Sequence, residues 1–200
     1  MRDLAENVPV VVGLTGRYCA GKGTAARVFA SMGFRVIDAD DVSHEVLAGK
    51  ASEVIARFGP GVRAEGDGVN RRALGRIVFD DPAARADLEA ILYPEITDRI
   101  RRFIAGGGDV AVNAPLLQRA GLQALCDAVV FVTAPAVVRL FRALRRDRLS
   151  LREAVKRITS QGDVDPQKND PSVDTYIVRN AAGARSFDRR VSRLVLRLRG

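Results

Sequence analysis

The 200-residue chain is 47% hydrophobic, which is enough for one well-buried globular domain. No run of about 18 apolar residues occurs, and the first ten residues lack the charged-then-apolar order of a signal peptide, so we expect a cytoplasmic protein that does not bind or cross a membrane. The two cysteines, Cys19 and Cys126, have no CxxC or other metal-ligand spacing, which argues against a structural zinc site.

The net charge of +8 belongs to the last third of the chain. Residues 139–200 carry 16 basic and 7 acidic side chains, whereas residues 1–138 are nearly neutral. Basic segments attract nucleic acid, but this one lacks the interleaved aromatic side chains on which bases stack, so we predict no nucleic-acid partner. Among the 32 basic residues 28 are arginine, and Lys22 is one of only four lysines.

Five apolar runs predict short buried strands, at residues 8–14, 34–40, 109–115, 127–134 and 174–180. Helical patterns follow them at 24–31, 41–47, 122–124 with its flanks, 136–148 and 184–199, the last an amphipathic helix. The long segment from about 50 to 108 contains three further helical patterns, which we interpret as a helical insert in a single domain spanning residues 1–200. The alternation predicts an α/β fold whose five-stranded parallel sheet is flanked by helices.

A phosphate-binding motif lies between the first predicted strand and the first predicted helix. Residues 16–22 read Gly-Arg-Tyr-Cys-Ala-Gly-Lys, which matches G-x-x-x-x-G-K in the strand–loop–helix context that the motif requires. Backbone N–H groups of such a loop surround phosphate oxygens, and the lysine reaches the β and γ phosphates. The alternative is a glycine-rich turn with a surface lysine. We predict that residues 16–24, Gly16, Arg17, Tyr18, Cys19, Ala20, Gly21, Lys22, Gly23 and Thr24, bind ATP.

The motif departs from its usual form after Lys22. Residue 23 is glycine, where Ser or Thr ordinarily coordinates Mg²⁺, and the hydroxyl comes one residue later at Thr24. The same order, GKGT, is found in adenylate kinases. By that analogy Mg²⁺ is held through water and nucleotide oxygens while Thr24 contacts a phosphate, and we assign no side chain as a metal ligand.

Nearly the whole chain resembles the dephospho-coenzyme A kinases. After GLTGRYCAGKGT, the segments FASMGFRVIDADDVSHEVL, GDGVNRRALGRIVFDDPAARADLEAILYPEI, RLFRALRRDRLSLREAVKRITSQ and VDTYIVRN follow in that family's order and spacing. The resemblance implies a nucleoside-monophosphate-kinase-like P-loop fold. It also implies transfer of the γ-phosphate of ATP to the ribose 3′-hydroxyl of dephospho-coenzyme A, with Mg²⁺, in the last step of coenzyme A biosynthesis. No oligomeric state is predicted.

A kinase that phosphorylates a hydroxyl needs a carboxylate to orient it and accept its proton. The acids in DADD, residues 38–41, end the second predicted strand, and Asp40 is the candidate base that matches the family. Asp38 is a second candidate, acting on the water shell of Mg²⁺ or on the substrate. One of these acids can instead cap the following helix, and for Asp41 we favour that interpretation.

Four arginines at helical spacing, Arg139, Arg142, Arg145 and Arg146, suggest a lid over residues 139–162. Family resemblance favours Arg142 and Arg146 as catalytic cations, and the alternative is a solvated helix face. The resemblance also implies an adenine contact for Asn180, which competes with a role in a turn.

Several positions depart from the family pattern, and they concern the identity of the acceptor more than the binding of ATP. Tyr93 stands where histidine is usual, and Arg119 replaces an acid and could recognise a further phosphate or carboxylate. Two alternatives therefore stay open: a divergent P-loop kinase for another nucleotide-like acceptor, and an ATP-binding protein without turnover. A GTP-dependent switch is disfavoured because neither D-x-x-G nor N-K-x-D occurs.

Overall fold

The computed structural model describes residues 8–66, 68–115, 117–118, 121–147, 150–159, 171–181 and 183–200. The chain divides into two compact units. The first comprises Met1–Ile37 and Phe103–Gly200, and the second comprises Asp38–Arg102. The second unit overlaps the predicted helical insert but begins about twelve residues earlier in the chain.

A five-stranded sheet forms the centre of the first unit, as the sequence predicted. Its strands are β1 (Val11–Gly16), β2 (Arg35–Asp38), β3 (Val110–Asn113), β4 (Ala128–Thr133) and β5 (Asp174–Arg179), in the spatial order β2-β3-β1-β4-β5. β1 pairs in parallel with both β3 and β4, and β4 pairs in parallel with β5. β1, β3 and β4 are almost entirely buried, which explains why they appear in the sequence as continuous apolar runs.

The α-helices are α1 (Lys22–Ser31), α2 (Ala39–Gly49), α3 (Ala51–Phe58), α4 (Arg71–Asp80), α5 (Pro82–Ala105), α6 (Ala136–Asp147), α7 (Leu151–Thr159) and α8 (Ala184–Leu198). The predicted helix near 122–124 is a short 3₁₀ helix, Leu122–Leu125. Within the described ranges, no helix is long and apolar enough to cross a membrane.

Helices α1 and α8 form one core with the sheet. Phe187, Val191 and Val195, four residues apart on α8, are all buried in that core together with Phe29 of α1. Residues spaced by four lie on one face of a helix, so the apolar stripe faces the sheet and the arginines between them stay exposed. The predicted amphipathic C-terminal helix is therefore confirmed.

The junction of β2 and α2 differs from the prediction. β2 ends at Asp38, and α2 begins at Ala39 instead of Asp41. The Asp38 carboxylate accepts a hydrogen bond of 2.9 Å from the Asp40 N–H, so Asp38 caps the helix and the expectation that Asp41 does so is wrong. Asp40 consequently lies in the first turn of a helix, where the positive helix dipole stabilises a carboxylate.

The second unit is helical and is held in part by ion pairs between its helices. Arg99 of α5 pairs with Glu45 of α2 at 3.0 Å and with Glu95 of its own helix at 2.9 Å. Arg57 of α3 pairs with Asp87 of α5. These side chains are partly or largely exposed, so each pair contributes modestly to stability and serves mainly to fix helix orientation.

Candidate functional site

The phosphate-loop motif occupies the predicted turn between β1 and α1. Gly16 ends β1 with φ of 148°, and a Cβ there would lie 2.2 Å from the Val132 carbonyl oxygen of β4. Gly21 precedes α1 with φ of 113°. Both conformations are rare for residues with a side chain, so the two glycines of the motif are required by the local backbone.

The helix begins two residues before the predicted position, at Lys22. The Thr24 and Ala25 N–H groups donate to the Gly21 carbonyl at 3.0 and 3.1 Å, which closes the first turn. The N–H groups that precede these two at the start of a helix have no acceptor within the helix, and the helix dipole adds positive potential there. This end of α1 therefore has the chemistry of an anion site.

The carbonyl side of the loop is fastened by two side chains from distant parts of the chain. The Ala20 oxygen accepts hydrogen bonds from Asn180 Nδ2 at 2.9 Å and from Arg142 Nη1 at 3.1 Å. Arg142 Nη1 also lies 3.4 Å from the Cys19 oxygen, and Arg142 Nη2 donates to Asn180 Oδ1 at 3.1 Å. Arg142 and Asn180 thus act as a latch, a name we use below for this pair, that holds the loop carbonyls on one side.

Asn180 has a role that the sequence analysis missed. It follows β5, its side chain is 5% exposed, and its own N–H donates to the Thr133 oxygen at 2.7 Å. Neither an adenine contact nor a turn requires these bonds to the loop. No sequence signal could have indicated them, because Asn180 and Ala20 are 160 residues apart.

Lys22 is positioned by a neighbouring strand. Its Nζ donates to Asn113 Oδ1 at 3.3 Å, and Asn113 is a buried side chain at the end of β3. The polar residue that ends the apolar run VAVN was a signal for this contact, since the carboxyl ends of parallel strands meet at one edge of the sheet. In the first turn of α1, the Thr24 hydroxyl accepts a hydrogen bond from Arg27 at 3.2 Å.

Helices α6 and α7 pack on the middle of the loop. Cys19, with φ of 56°, is buried in a small cluster with Ala143 of α6 and Ala154 of α7. The Tyr18 ring lies 5.7 Å from the Arg146 guanidinium carbon and 5.9 Å from that of Arg157. The predicted lid segment therefore contacts the loop through apolar packing and two cation–π interactions.

The four arginines of α6 occupy different environments. Arg145 and Arg146 are exposed, Arg142 is half-buried in the latch, and Arg139 is only 5% exposed. The interpretation of this face as solvated is therefore wrong for Arg139 and Arg142. Burial lowers the pKa of Arg139, and the neighbouring Arg17 charge lowers it further.

The remaining candidate residues belong to other segments of the sequence. Asp38 and Asp40 belong to the second unit, where Asp40 is exposed, and Tyr93 is a half-buried residue of α5. Arg119, with its predicted role in recognising a further anion, and residues 148–149 and 160–162 of the predicted lid lie outside the described residues.

The chain is similar to known proteins over most of its length. The family model described as Dephospho-CoA kinase matches residues 10–185. The dephospho-CoA kinase of Moorella thermoacetica is 41% identical to this chain over 162 residues, which cover 76% of each chain. The dephospho-CoA kinase of Anaeromyxobacter dehalogenans is 36% identical over 198 residues, which cover 95% of this chain and 92% of the relative. The solved structure of the dephospho-CoA kinase from Campylobacter jejuni superposes with a TM-score of 0.69 at 25% identity, covering 94% of this chain and 96% of that one. A match of this extent, on a chain with the P-loop fold, establishes that this protein belongs to the dephospho-CoA kinase family.

Proposed function

We propose that this chain transfers the γ-phosphate of ATP to the ribose 3′-hydroxyl of dephospho-coenzyme A, which yields coenzyme A and ADP in the last step of coenzyme A biosynthesis. The observation that carries the proposal is the family match over residues 10–185, because it includes the complete phosphate loop and the segments that surround it. The reaction joins two dissolved substrates, and we place it in the cytoplasm.

The loop is suited to the triphosphate of ATP. With the Ala20 carbonyl held by the latch, the start of α1 is left to present N–H groups and the Lys22 ammonium to phosphate oxygens. We assign residues 16–24 to ATP binding, with Lys22 on the β and γ phosphates. Asn180 adjoins the loop, and its proposed contact with adenine would come in addition to its bond with Ala20.

The loop offers Mg²⁺ a hydroxyl oxygen at Thr24 and no side chain at Gly23. Across the described part of the chain, no group of three or more His, Cys, Asp or Glu side chains could hold a metal ion. This donor set fits Mg²⁺ that keeps most of its water and binds nucleotide oxygens. The ion would supply charge neutralisation for the phosphates, and Thr24 would contact a phosphate.

Asp40 is our candidate for the residue that acts on the acceptor. It is an exposed carboxylate on the first turn of α2, two residues after β2 ends, and its own N–H is engaged by Asp38. In the proposed reaction Asp40 orients the 3′-hydroxyl and accepts its proton as the oxygen attacks phosphorus, while the bond between the γ-phosphate and the ADP oxygen breaks. The second unit, which contains Asp40, would then bind the acceptor.

Arg142 and Arg146 are the proposed catalytic cations of α6. Arg142 is already fixed against the loop carbonyls, so its guanidinium needs little reorganisation to act on charge that develops near the loop. Arg146, whose guanidinium carbon lies 5.7 Å from the centre of the Tyr18 ring, would approach the phosphates as α6 and α7 move as a lid over the loop.

The decisive experiment measures ATP consumption by the purified protein with dephospho-coenzyme A, AMP, CMP or a nucleoside, and identifies each product by mass. We expect an increase of one phosphoryl group on dephospho-coenzyme A alone. The matched control is Lys22→Ala, which should keep the fold and lower turnover by about a hundredfold or more because the β/γ contact is lost. Phosphorylation of AMP or CMP instead would favour the divergent kinase, and absence of any product would favour a non-catalytic ATP-binding protein.

A further inference from the structure

Arg139 is a buried arginine without hydrogen-bond partners for two of its nitrogens. The residue is 5% exposed, and in the described part of the chain neither Nε nor Nη1 has an acceptor. Buried charges are ordinarily paired, because an ion removed from water loses its hydration without compensation. A guanidinium left in this state implies an anion that is not part of the protein.

The surroundings of Arg139 add positive charge. It lies three residues before Arg142, so both side chains leave the loop-facing side of α6. Among the described residues, the groups whose charge acts on it are Arg17, which lowers its pKa, and Cys19, which raises it, and neither is a carboxylate. Arg17 is half-buried, and its backbone N–H donates a hydrogen bond of 3.2 Å to the backbone oxygen of Val132. Val132 belongs to β4, the strand that α6 follows in the chain.

We propose that Arg139 and Arg17 bind an oxyanion of the phosphate class between them, on the α6 side of the Gly16–Gly21 loop. The adjacent Nε–H and Nη–H of a guanidinium match two oxygens of a phosphate. Both unpartnered nitrogens are shielded from solvent, so entry of the anion requires a local movement of the side chains around Arg139. The anion is either a phosphate of bound nucleotide, in which case the inference rests on the proposed function, or free inorganic phosphate.

The test measures binding of tripolyphosphate, ATP and adenosine by calorimetry to the wild-type protein and to Arg139→Met. Methionine has a similar length and is apolar, so it suits a buried position. We expect tripolyphosphate and ATP to bind about 10- to 100-fold more weakly, the factor for one charge-assisted hydrogen-bond pair, with adenosine unchanged. The control is Arg145→Met, which removes the same charge from an exposed position of the same helix and should change none of the three affinities.

Thermal unfolding supplies a second readout. Because Arg139 is unpaired without the anion, the ligand-free Arg139→Met protein should unfold at a higher temperature than the wild type, and tripolyphosphate should raise that temperature less. Should Arg139→Met fail to fold, Arg17→Gln tests the other half of the site and should weaken tripolyphosphate binding at least about fivefold.

The proposal is overturned if Arg139→Met, or in its place Arg17→Gln, binds both tripolyphosphate and inorganic phosphate as tightly as the wild type. If inorganic phosphate raises the unfolding temperature of the ATP-saturated wild type further, and Arg139→Met lacks this effect, the anion is a separate phosphate. If phosphate and ATP compete for binding, the anion is a phosphate of the nucleotide. Binding of tripolyphosphate requires no acceptor, so these results stand apart from failure of the wild-type protein to phosphorylate dephospho-coenzyme A.

Discussion

Replacement of Asn180 by alanine separates two roles for this residue. In the structure its side chain donates to Ala20 O at 2.9 Å and accepts from Arg142 Nη2 at 3.1 Å, at a position that is 5% exposed. A neutral hydrogen bond contributes about 1 kcal/mol and one to a charged group about 1.5–3 kcal/mol. Asn180→Ala should therefore lower the free energy of unfolding by about 2.5–4 kcal/mol, even without nucleotide.

Thermal unfolding of the nucleotide-free protein is the appropriate assay. For a chain of this size a loss of 1 kcal/mol lowers Tm by about 2–4 °C, so we expect a decrease of about 5–15 °C. If Asn180 served only to contact adenine, Tm would change little while the affinity for ATP fell. A Tm within about 1 °C of the wild type would refute the latch.

Two further variants show which bond matters. Asn180→Asp keeps an acceptor for Arg142 but turns an oxygen toward the Ala20 carbonyl, so it should be no more stable than Asn180→Ala. Combining Asn180→Ala with Arg142→Ala should cost less than the sum of the single changes by about 1–2 kcal/mol, since the two side chains bond each other and the same carbonyl. Strict additivity would contradict the proposed pairing.

Three other perturbations give separate tests. Asp40→Asn should leave ATP affinity nearly unchanged in calorimetry while phosphoryl transfer to dephospho-coenzyme A falls by roughly two to four orders of magnitude. Asp41→Asn, the control, should lower the transfer rate far less. An undiminished rate for Asp40→Asn would exclude Asp40 as the base. Gly16→Ala should abolish ATP binding and lower Tm, because its Cβ would lie 2.2 Å from the Val132 oxygen; a variant with wild-type Tm would contradict the loop geometry. Burial raises the pKa of the Cys126 thiol from 9.0 to about 12, so the folded protein retains a proton that the unfolded chain loses. The resulting stability is complete below about pH 9 and is lost as pH rises toward 12; Cys126→Ala should therefore show a shallower fall of Tm between pH 9 and pH 11, and identical slopes would argue against this burial effect.

Local patterns predicted the elements that depend on local chemistry. The four-residue spacing of Phe187, Val191 and Val195 is a property of the helix itself, and it was sufficient to predict which face of α8 is buried. The phosphate loop was also predictable, because its glycines are required by backbone angles within the motif.

The sequence was less informative where several residues compete for one role or where partners are distant. Three aspartates between residues 38 and 41 could each cap α2, and only the backbone angles of Asp38 select it over Asp41. The two latch residues are 122 and 160 positions from Ala20 in the chain. On α6, helical spacing alone could not distinguish the buried Arg139 from the exposed Arg145. Such contacts follow from the order of strands in the sheet, which no local pattern specifies.

The distance along the chain between the loop and its latch has a consequence for biosynthesis. The ribosome makes the loop among the first 24 residues, yet both side chains that fasten the Ala20 carbonyl are made after residue 140. A nascent chain therefore contains its phosphate-binding motif long before it contains the two side chains that fasten the loop. Fragments that stop before Asn180 should retain the motif and lack its affinity, so the competence to bind ATP reports that synthesis has passed β5.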